Sequence, residues 1–338
     1  MTLSDHAKQI RRRVVYLILF ALCACQGELS VLNPRGEGAA HIANLWWIML
    51  IVAVMVYIQV LAFLILALVR RRSTTEADPP ETSPAGPGAR TFLIANGIAI
   101  PIVILAVMFG FNLVTINALS PSAPAEVTIE VIGHRFWWEV RYPHHEFVTA
   151  NQIVIPTGTR VELKLMSEDV IHSLWIPTLN GKADMIPGKT NRMWLYTEES
   201  GEFPGVCAEL CGLQHAKMRI VVTAMQAADF ETWIARQQQP ASEPASDLIR
   251  RGQQIFLGGA CVYCHTVRGT NASGIIGPDL THFATRPTIG AGILPNTRGN
   301  LAGWIIDPQG IKPGNRMPPM YIEGDDLQAL LAYMESLQ

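Results

Sequence analysis

Two stretches of the chain, 45–69 and 92–116, hold no Asp, Glu, Lys or Arg, and they restrict what it can fold into more than any other feature. Each is about 25 residues long, enough for a helix to cross a hydrocarbon core with some tilt. Backbone amides cannot stay unpaired in lipid, so both stretches must be helices. Arg70, Arg71 and Arg72 follow the first and mark its cytoplasmic end, which leaves Trp46 and Trp47 at the outer interface. Asn96, Pro101 and Asn112 interrupt the second, and in lipid such residues face protein rather than hydrocarbon. The connection, 70–91, is rich in Pro, Thr, Glu and Gly and reads as a cytoplasmic loop.

Upstream, Arg11, Arg12 and Arg13 precede an apolar run, 14–24, that is too short to span a bilayer but matches a secretory core, so 1–24 is expected to be a cleaved export signal. Leu22-Cys23-Ala24-Cys25 resembles a bacterial lipobox with Cys25 as the lipidated first residue; an ordinary signal with an incidental cysteine is the other reading. The signal, an exported segment 25–44 and two spans return the chain to the outside. Everything after the second span is therefore expected on the periplasmic side of a bacterial inner membrane, as is the mature N-terminus. The 26 basic and 28 acidic residues nearly balance, and basic clusters occur only beside the apolar runs, which argues against nucleic acid as a partner.

From Val127 the pattern changes to alternation. Val127-Thr-Ile-Glu-Val-Ile, 136–142, 153–155, 161–165, 193–196 and 219–223 are short strand-like runs separated by Gly and Pro turns. Residues 123–237 are thus expected to form a β-sandwich or Greek-key barrel, closed by a short helix at 228–237. Gln238-Gln-Pro-Ala-Ser-Glu-Pro-Ala-Ser, 238–246, has the composition of a linker. The last part, 247–338, carries helical periodicity at 248–257 and 325–337, with Gly- and Pro-rich loops between.

The 6 cysteines fall into local pairs, Cys23/Cys25, Cys207/Cys211 and Cys261/Cys264, and read as separate chemistries rather than one disulfide framework. Cys207-Ala-Glu-Leu-Cys211-Gly-Leu-Gln-His215-Ala-Lys-Met218 gathers two thiolates, an imidazole and a thioether just before the last strand. Soft sulfur with imidazole selects copper or zinc over hard cations, and a weak thioether points to electron-transfer copper. A Cys207/Cys211 disulfide or a zinc site are the plainer readings, and His215 and Met218 count against both. His172, at a strand end in Asp169-Val-Ile-His172-Ser-Leu-Trp175, is a second imidazole able to fold over the loop. One blue copper uses a single thiolate, whereas two coppers bridged by both sulfurs use every donor. Each metal then has one His, Met218 serves one of them, and a backbone carbonyl, that of Glu209, serves the other.

Cys261-Val-Tyr-Cys264-His265 is the pattern of covalent haem c attachment, with two thioether sulfurs and an adjacent axial imidazole. The sixth ligand should be a Met, and Asn315-Arg-Met317-Pro-Pro-Met320 offers Met317 and Met320. His41, His134, His144, His145 and His282 lack partnered spacing and are expected to be surface or packing residues.

His172 and Cys207-x-Glu209-x-Cys211-x-x-x-His215-x-x-Met218, after a two-span hairpin, resemble subunit II of cytochrome c oxidase over about residues 45–237. Residues 247–338 resemble a class I cytochrome c, with Gly252-x-x-x-Phe256 on the first helix, Tyr333 on the last and Gly277-Pro278 beside the axial His265. The resemblance implies a multidomain chain: a two-helix transmembrane hairpin, a cupredoxin-like Greek-key domain and an all-α class I cytochrome c domain. It implies a covalent haem c that feeds a dicopper centre, and onward transfer to haem in subunit I, where oxygen is reduced to water. It further implies that the Glu209 carboxylate reaches a magnesium or manganese ion at the border with subunit I, and that Met317, directly before Pro, is the axial Met. Asp184 matches an acidic position near the surface where a cytochrome c docks, or is a solvated turn residue. Implied partners are subunit I, other oxidase subunits and, as donor, a periplasmic or membrane-bound cytochrome c or an upstream quinol–cytochrome c reductase.

Two features depart from the family. In Gly133-His-Arg-Phe136-Trp137-Trp138, Phe136 stands where the family has the Trp through which electrons come in, which leaves Phe136 and Trp137 as relay candidates. Ile94 stands where many relatives carry an acidic residue, so no proton-uptake role is expected of the second span. A nitric oxide reductase component, or a stand-alone copper or electron carrier, are the alternatives. No residue is expected to act as acid, base or nucleophile.

Overall fold

The computed structural model describes residues 27–71, 86–120 and 125–338, with Arg13 and Tyr16. The remainder of the export signal and the proposed lipidation residue Cys25 lie outside the described residues, as does most of the loop between the apolar stretches. The chain divides into two compact units, His41–Ser120 and the rest.

The first unit is a pair of apolar helices, α1 (Glu37–Arg71) and α2 (Pro87–Leu119), and the most apolar part of each buries none of its side chains against protein. At about 1.5 Å per residue the 33 residues of α2 reach roughly 50 Å, more than a hydrocarbon core of about 30 Å. The α-helical hydrogen bonding of α2 widens to a π turn at Ala95–Ala99, just before Pro101. Proline has no N–H to give to Gly97 and its ring crowds that carbonyl, so one extra residue in the turn relieves both. Asn96 within this turn accepts from Gln59 Nε2 of α1 at 2.9 Å, and Phe63 and Phe92 meet edge to face at 5.0 Å. The polar residue of the second span therefore faces the first span, as its cost in lipid requires.

The second unit begins with ten strands: β1 (Val127–His134), β2 (Trp137–Tyr142), β3 (Phe147–Ala150), β4 (Gln152–Pro156), β5 (Val161–Ser167), β6 (His172–Trp175), β7 (Ala183–Met185), β8 (Asn191–Leu195), β9 (Gly201–Cys207) and β10 (Arg219–Met225). They form two five-stranded sheets, ordered β3-β2-β1-β5-β8 and β4-β10-β9-β6-β7, a curled sandwich consistent with a cupredoxin-like fold. Parallel pairing of β1 with β5 and of β4 with β10 joins segments distant in sequence. Alternate residues such as Ile129, Val131, Trp138, Val140, Leu163 and Leu165 fill one core between the sheets. Tyr142 spans it, its hydroxyl donating to Val154 O at 2.9 Å and accepting from Val154 N at 2.8 Å. Helix α3 (Ala227–Gln237) closes the end with Phe230 and Ile234.

A helical region follows. Ser246 caps α4 (Asp247–Gly258) by accepting from Ile249 N, and α7 (Gly324–Ser336) crosses α4 at Gly252, where a Cβ would fall 1.9 Å from Ala329 O. Only glycine permits that approach, and Phe256 then packs edge to face on Tyr333 at 5.7 Å. Helices α5 (Arg298–Ile306) and α6 (Pro308–Ile311), with a two-residue hairpin of β11 (Thr288–Ile289) and β12 (Leu294–Pro295), complete a second core.

Candidate functional site

Strand pairing builds the sulfur loop. Leu174 of β6 lies opposite Cys207 of β9, and β10 runs back along β9, so that Cys207 N donates to Met218 O at 3.0 Å across the mouth of the loop. His172, at the start of β6, comes in from the neighbouring strand. Cys207 Sγ lies 3.9 Å from Cys211 Sγ, 3.9 Å from His172 Nδ1 and 3.2 Å from Glu209 O. Cys211 Sγ in turn lies 3.9 Å from His215 Nδ1 and 3.9 Å from Met218 Sδ. The arrangement is nearly symmetric: each sulfur faces its own imidazole and one further weak donor.

A sulfur separation of 3.9 Å is almost twice that of a disulfide, about 2.05 Å, and both thiols are free. The ligand atoms of His172, Cys207 and Cys211 lie within 4.8 Å of one another, in a buried setting. This donor set fits a soft metal held between thiolates and suits copper. The contact with Cys211 holds the Cys207 thiol low against the effect of burial, and the same contact, with burial, pushes Cys211 up.

Asp169 completes the site from behind. Its Oδ1 is 2.9 Å from His172 Nε2, and Arg135 N and Val170 N donate to its carboxylate at 2.8 Å each. Burial opposes charge on both groups, but it is outweighed: Asp169 is held below the usual carboxylate range and His172 is raised. Trp138, fully buried, sets its ring edge to face against His172 at 6.0 Å.

The second site is a cavity. Cys261, Cys264, His265, Met317 and Met320 line it from the helical region, and Phe136 and Trp137 line it from the sandwich. Pro278 O accepts from His265 Nδ1 at 2.7 Å, which leaves Nε2 free for a metal. A Cβ at Gly277 would fall 2.7 Å from His265 Cε1, so the turn lies flat on the ring. Arg286 lines the cavity with a buried Nε that lacks a partner among the described residues, and burial pushes its pKa down to about 10. A planar macrocycle carrying carboxylates fits this pocket, with two thiols to anchor it and an unpaired donor for its acid groups.

Sequence-derived candidates thus divide in two places. His172, Cys207, Cys211, His215 and Met218 converge on one cluster, with the Glu209 carbonyl beside it and the Glu209 side chain exposed. Cys261, Cys264 and His265 share the cavity with both Met317 and Met320. Phe136 lies between, since it lines the cavity while its ring edge sits 3.2 Å from where a Cβ of Gly212 would be. Trp137 stacks on His134 at 4.4 Å, and His134 bonds Glu139 at 3.0 Å, a packing role. Asp184 is exposed on β7. Asp169, Trp138 and Lys312 were not singled out by sequence; only Asp169, three residues before His172, carried a readable signal.

Residues 145–225 match the family model of the cytochrome c oxidase subunit II periplasmic domain, and residues 249–338 match that of cytochrome c. The chain is 36% identical over 334 residues to cytochrome c oxidase subunit 2 of Alkalihalophilus pseudofirmus, covering 96% of this chain and 95% of that relative. Against cytochrome c oxidase subunit 2 of Bacillus subtilis it is 30% identical over 330 residues, 92% of each chain. The same subunit of Bacillus sp. strain PS3 is 31% identical over 258 residues, covering 71% and 72%. Two helices of spanning length together with this similarity give a two-span, inner-membrane topology with the globular domains on the periplasmic side. Similarity that runs through the hairpin, the sulfur loop and the Cys-x-x-Cys-His region alike means that the chain belongs to the cytochrome c oxidase subunit II family, in a form with a C-terminal cytochrome c domain, and is part of an oxidoreductase complex.

Proposed function

We propose that this chain is the subunit through which electrons come into a haem-copper oxidase, from a covalent haem c to a dinuclear copper centre and on to subunit I, where oxygen is reduced to water. When bound, the two groups supply one-electron redox chemistry, with potentials raised by soft sulfur and Met ligation. Cys207, Cys211, His172 and His215 would hold the copper, with the Met218 thioether and the Glu209 carbonyl as further weak donors. The exposed Glu209 carboxylate is free to reach a magnesium or manganese ion at the border with subunit I. Cys261 and Cys264 would anchor the haem, His265 and Met317 would hold its iron, and the second unit reads as a Greek-key cupredoxin followed by a class I cytochrome c. Phe136, which lines the cavity and approaches Gly212 of the copper loop, and Trp137, which lines the cavity, are the relay candidates between the two sites.

The observation that carries this reading is the symmetric cluster of free sulfurs, each 3.9 Å from its own imidazole. Purification in mild detergent tests it. The chain should come out with a haem-copper partner subunit, and the complex should consume oxygen when supplied with reduced cytochrome c. A preparation that holds haem c and copper yet lacks such a partner would sink the oxidase role.

A further inference from the structure

The copper and haem domains meet along a built interface, and Lys312 is at its centre. Its side chain is buried, 2% exposed, and its Nζ donates to three backbone carbonyls: Lys217 O at 2.7 Å, Phe136 O at 2.8 Å and Gly290 O at 2.8 Å. An ammonium has three donors and no acceptor capacity, so every donor is met. Two of the carbonyls belong to the copper domain, one of them next to Met218, and the third belongs to the haem domain. Burial pushes the Lys312 pKa down to about 7. A buried cation is tolerated only where its hydrogen bonds are complete, so few placements of one domain on the other accept it.

Neighbouring contacts hold the same register. Gln214 Nε2 donates to Pro313 O at 2.9 Å, Lys217 Nζ to Ile311 O at 3.0 Å and Arg219 N to Ala291 O at 3.0 Å. Gly290, Ala291 and Gly292 have φ of 64°, 63° and 78°, and a Cβ at Gly292 would fall 2.7 Å from Arg219 Cβ. That left-handed run is shaped to fit the strand end beside Met218. The loop that carries Lys312 is itself stiff. Asn315 Nδ2 donates to Pro308 O at 2.8 Å and to Lys312 O at 2.7 Å, Gln309 Nε2 donates to Met317 O at 2.8 Å, and Met317 N donates to Asn315 Oδ1 at 2.7 Å. Lys312 and Met317 are two ends of one hydrogen-bonded loop. The linker, flexible by composition, is pinned as well: Ala241 N donates to Arg268 O at 2.9 Å, and Gln239 O lies 3.0 Å from His282 Nε2.

We propose that Lys312 is a positioning residue that clasps the haem domain onto the copper domain in one fixed docking, so that the donor does not swing on its linker. The proposal rests on the reading that electrons pass from haem c to copper within this chain.

The test uses the full chain in detergent, loaded with both cofactors. Hydrogen–deuterium exchange is followed in 213–219 and 288–295 for wild type and Lys312→Met, with Gln152–Pro156 and Gly324–Ser336 as controls in each core. The clasp predicts about tenfold or more faster exchange in both interface segments and no change in the controls. Interface protection equal to wild type overturns it. Should the variant fail to fold, a chain that keeps Lys312 carries the test: Gly and Ser residues are inserted between Ser242 and Glu243, and haem-to-copper transfer is timed after flash reduction, with and without the insertion, at low and high viscosity. Rates insensitive to both support the clasp, and rates that fall with linker length or viscosity overturn it. Absence of any transfer in loaded wild type overturns instead the electron-transfer reading beneath it.

Discussion

Asp169 Oδ1 lies 2.9 Å from His172 Nε2, on the ring edge opposite the Nδ1 that faces Cys207 Sγ. A carboxylate only accepts, so Nε2 carries the proton and Nδ1 presents its lone pair to the sulfurs. Arg316 of the haem domain faces the same carboxylate at 3.7 Å. One ring of the metal site is thus oriented by groups from both domains.

Asp169→Ala is expected to leave the fold intact and to weaken copper binding by about 10- to 100-fold, the usual loss when a carboxylate behind a ligating imidazole is removed. Competition with a chelator of known affinity measures it. Unchanged affinity would mean that His172 needs no such support.

Met317 and Met320 share the haem cavity, and Met317 alone is fixed at both its N–H and its carbonyl by side chains of its own loop. Met317→Ala should lower the haem reduction potential and abolish the Met-to-iron charge-transfer absorption, because loss of an axial thioether removes the ligand that favours reduced iron. Met320→Ala should change neither. The reverse pattern assigns the axial position to Met320.

Glu139 is buried, accepts from His134 at 3.0 Å and pairs with Arg141. Burial alone would raise its pKa, but the bonds from His134 and Arg141 outweigh it and hold the carboxyl below its ordinary value of 4.5. A depressed carboxyl contributes stability that is fully present above pH 4.5 and is lost as pH falls through the folded value. Thermal unfolding followed from pH 6 downward, a range of about three pH units, should show a smaller acid-dependent loss in Glu139→Gln than in wild type. An identical acid profile would remove Glu139 from the account.

The spans, the sulfur loop and the haem attachment motif were readable because each is local: ligands a few residues apart declare their chemistry through spacing. His172 was reachable from sequence because strands bring distant residues together in regular ways. Lys312 was not, since lysine defaults to the surface and its burial depends on carbonyls 22 to 176 residues away. Trp138 gave no signal that separated it from Phe136 and Trp137, because contact with His172 is set by sheet register. The linker misleads for a related reason. Its Pro, Ala and Ser suggest mobility, yet Gln239 O and Ala241 N are met by His282 and Arg268 of the following domain. Parallel pairing of β1 with β5 and the π turn before Pro101 also lie beyond what alternation or apolar length can reveal.

Low-temperature electron paramagnetic resonance of the copper-loaded chain tests the central claim most directly, because an electron shared between two equivalent copper nuclei leaves a different hyperfine pattern from one confined to a single nucleus. Two thiolates that bridge a copper pair predict a seven-line pattern in wild type and its loss in Cys211→Ser. A four-line mononuclear signal from copper-replete wild-type protein would contradict the dinuclear centre and the electron route built on it.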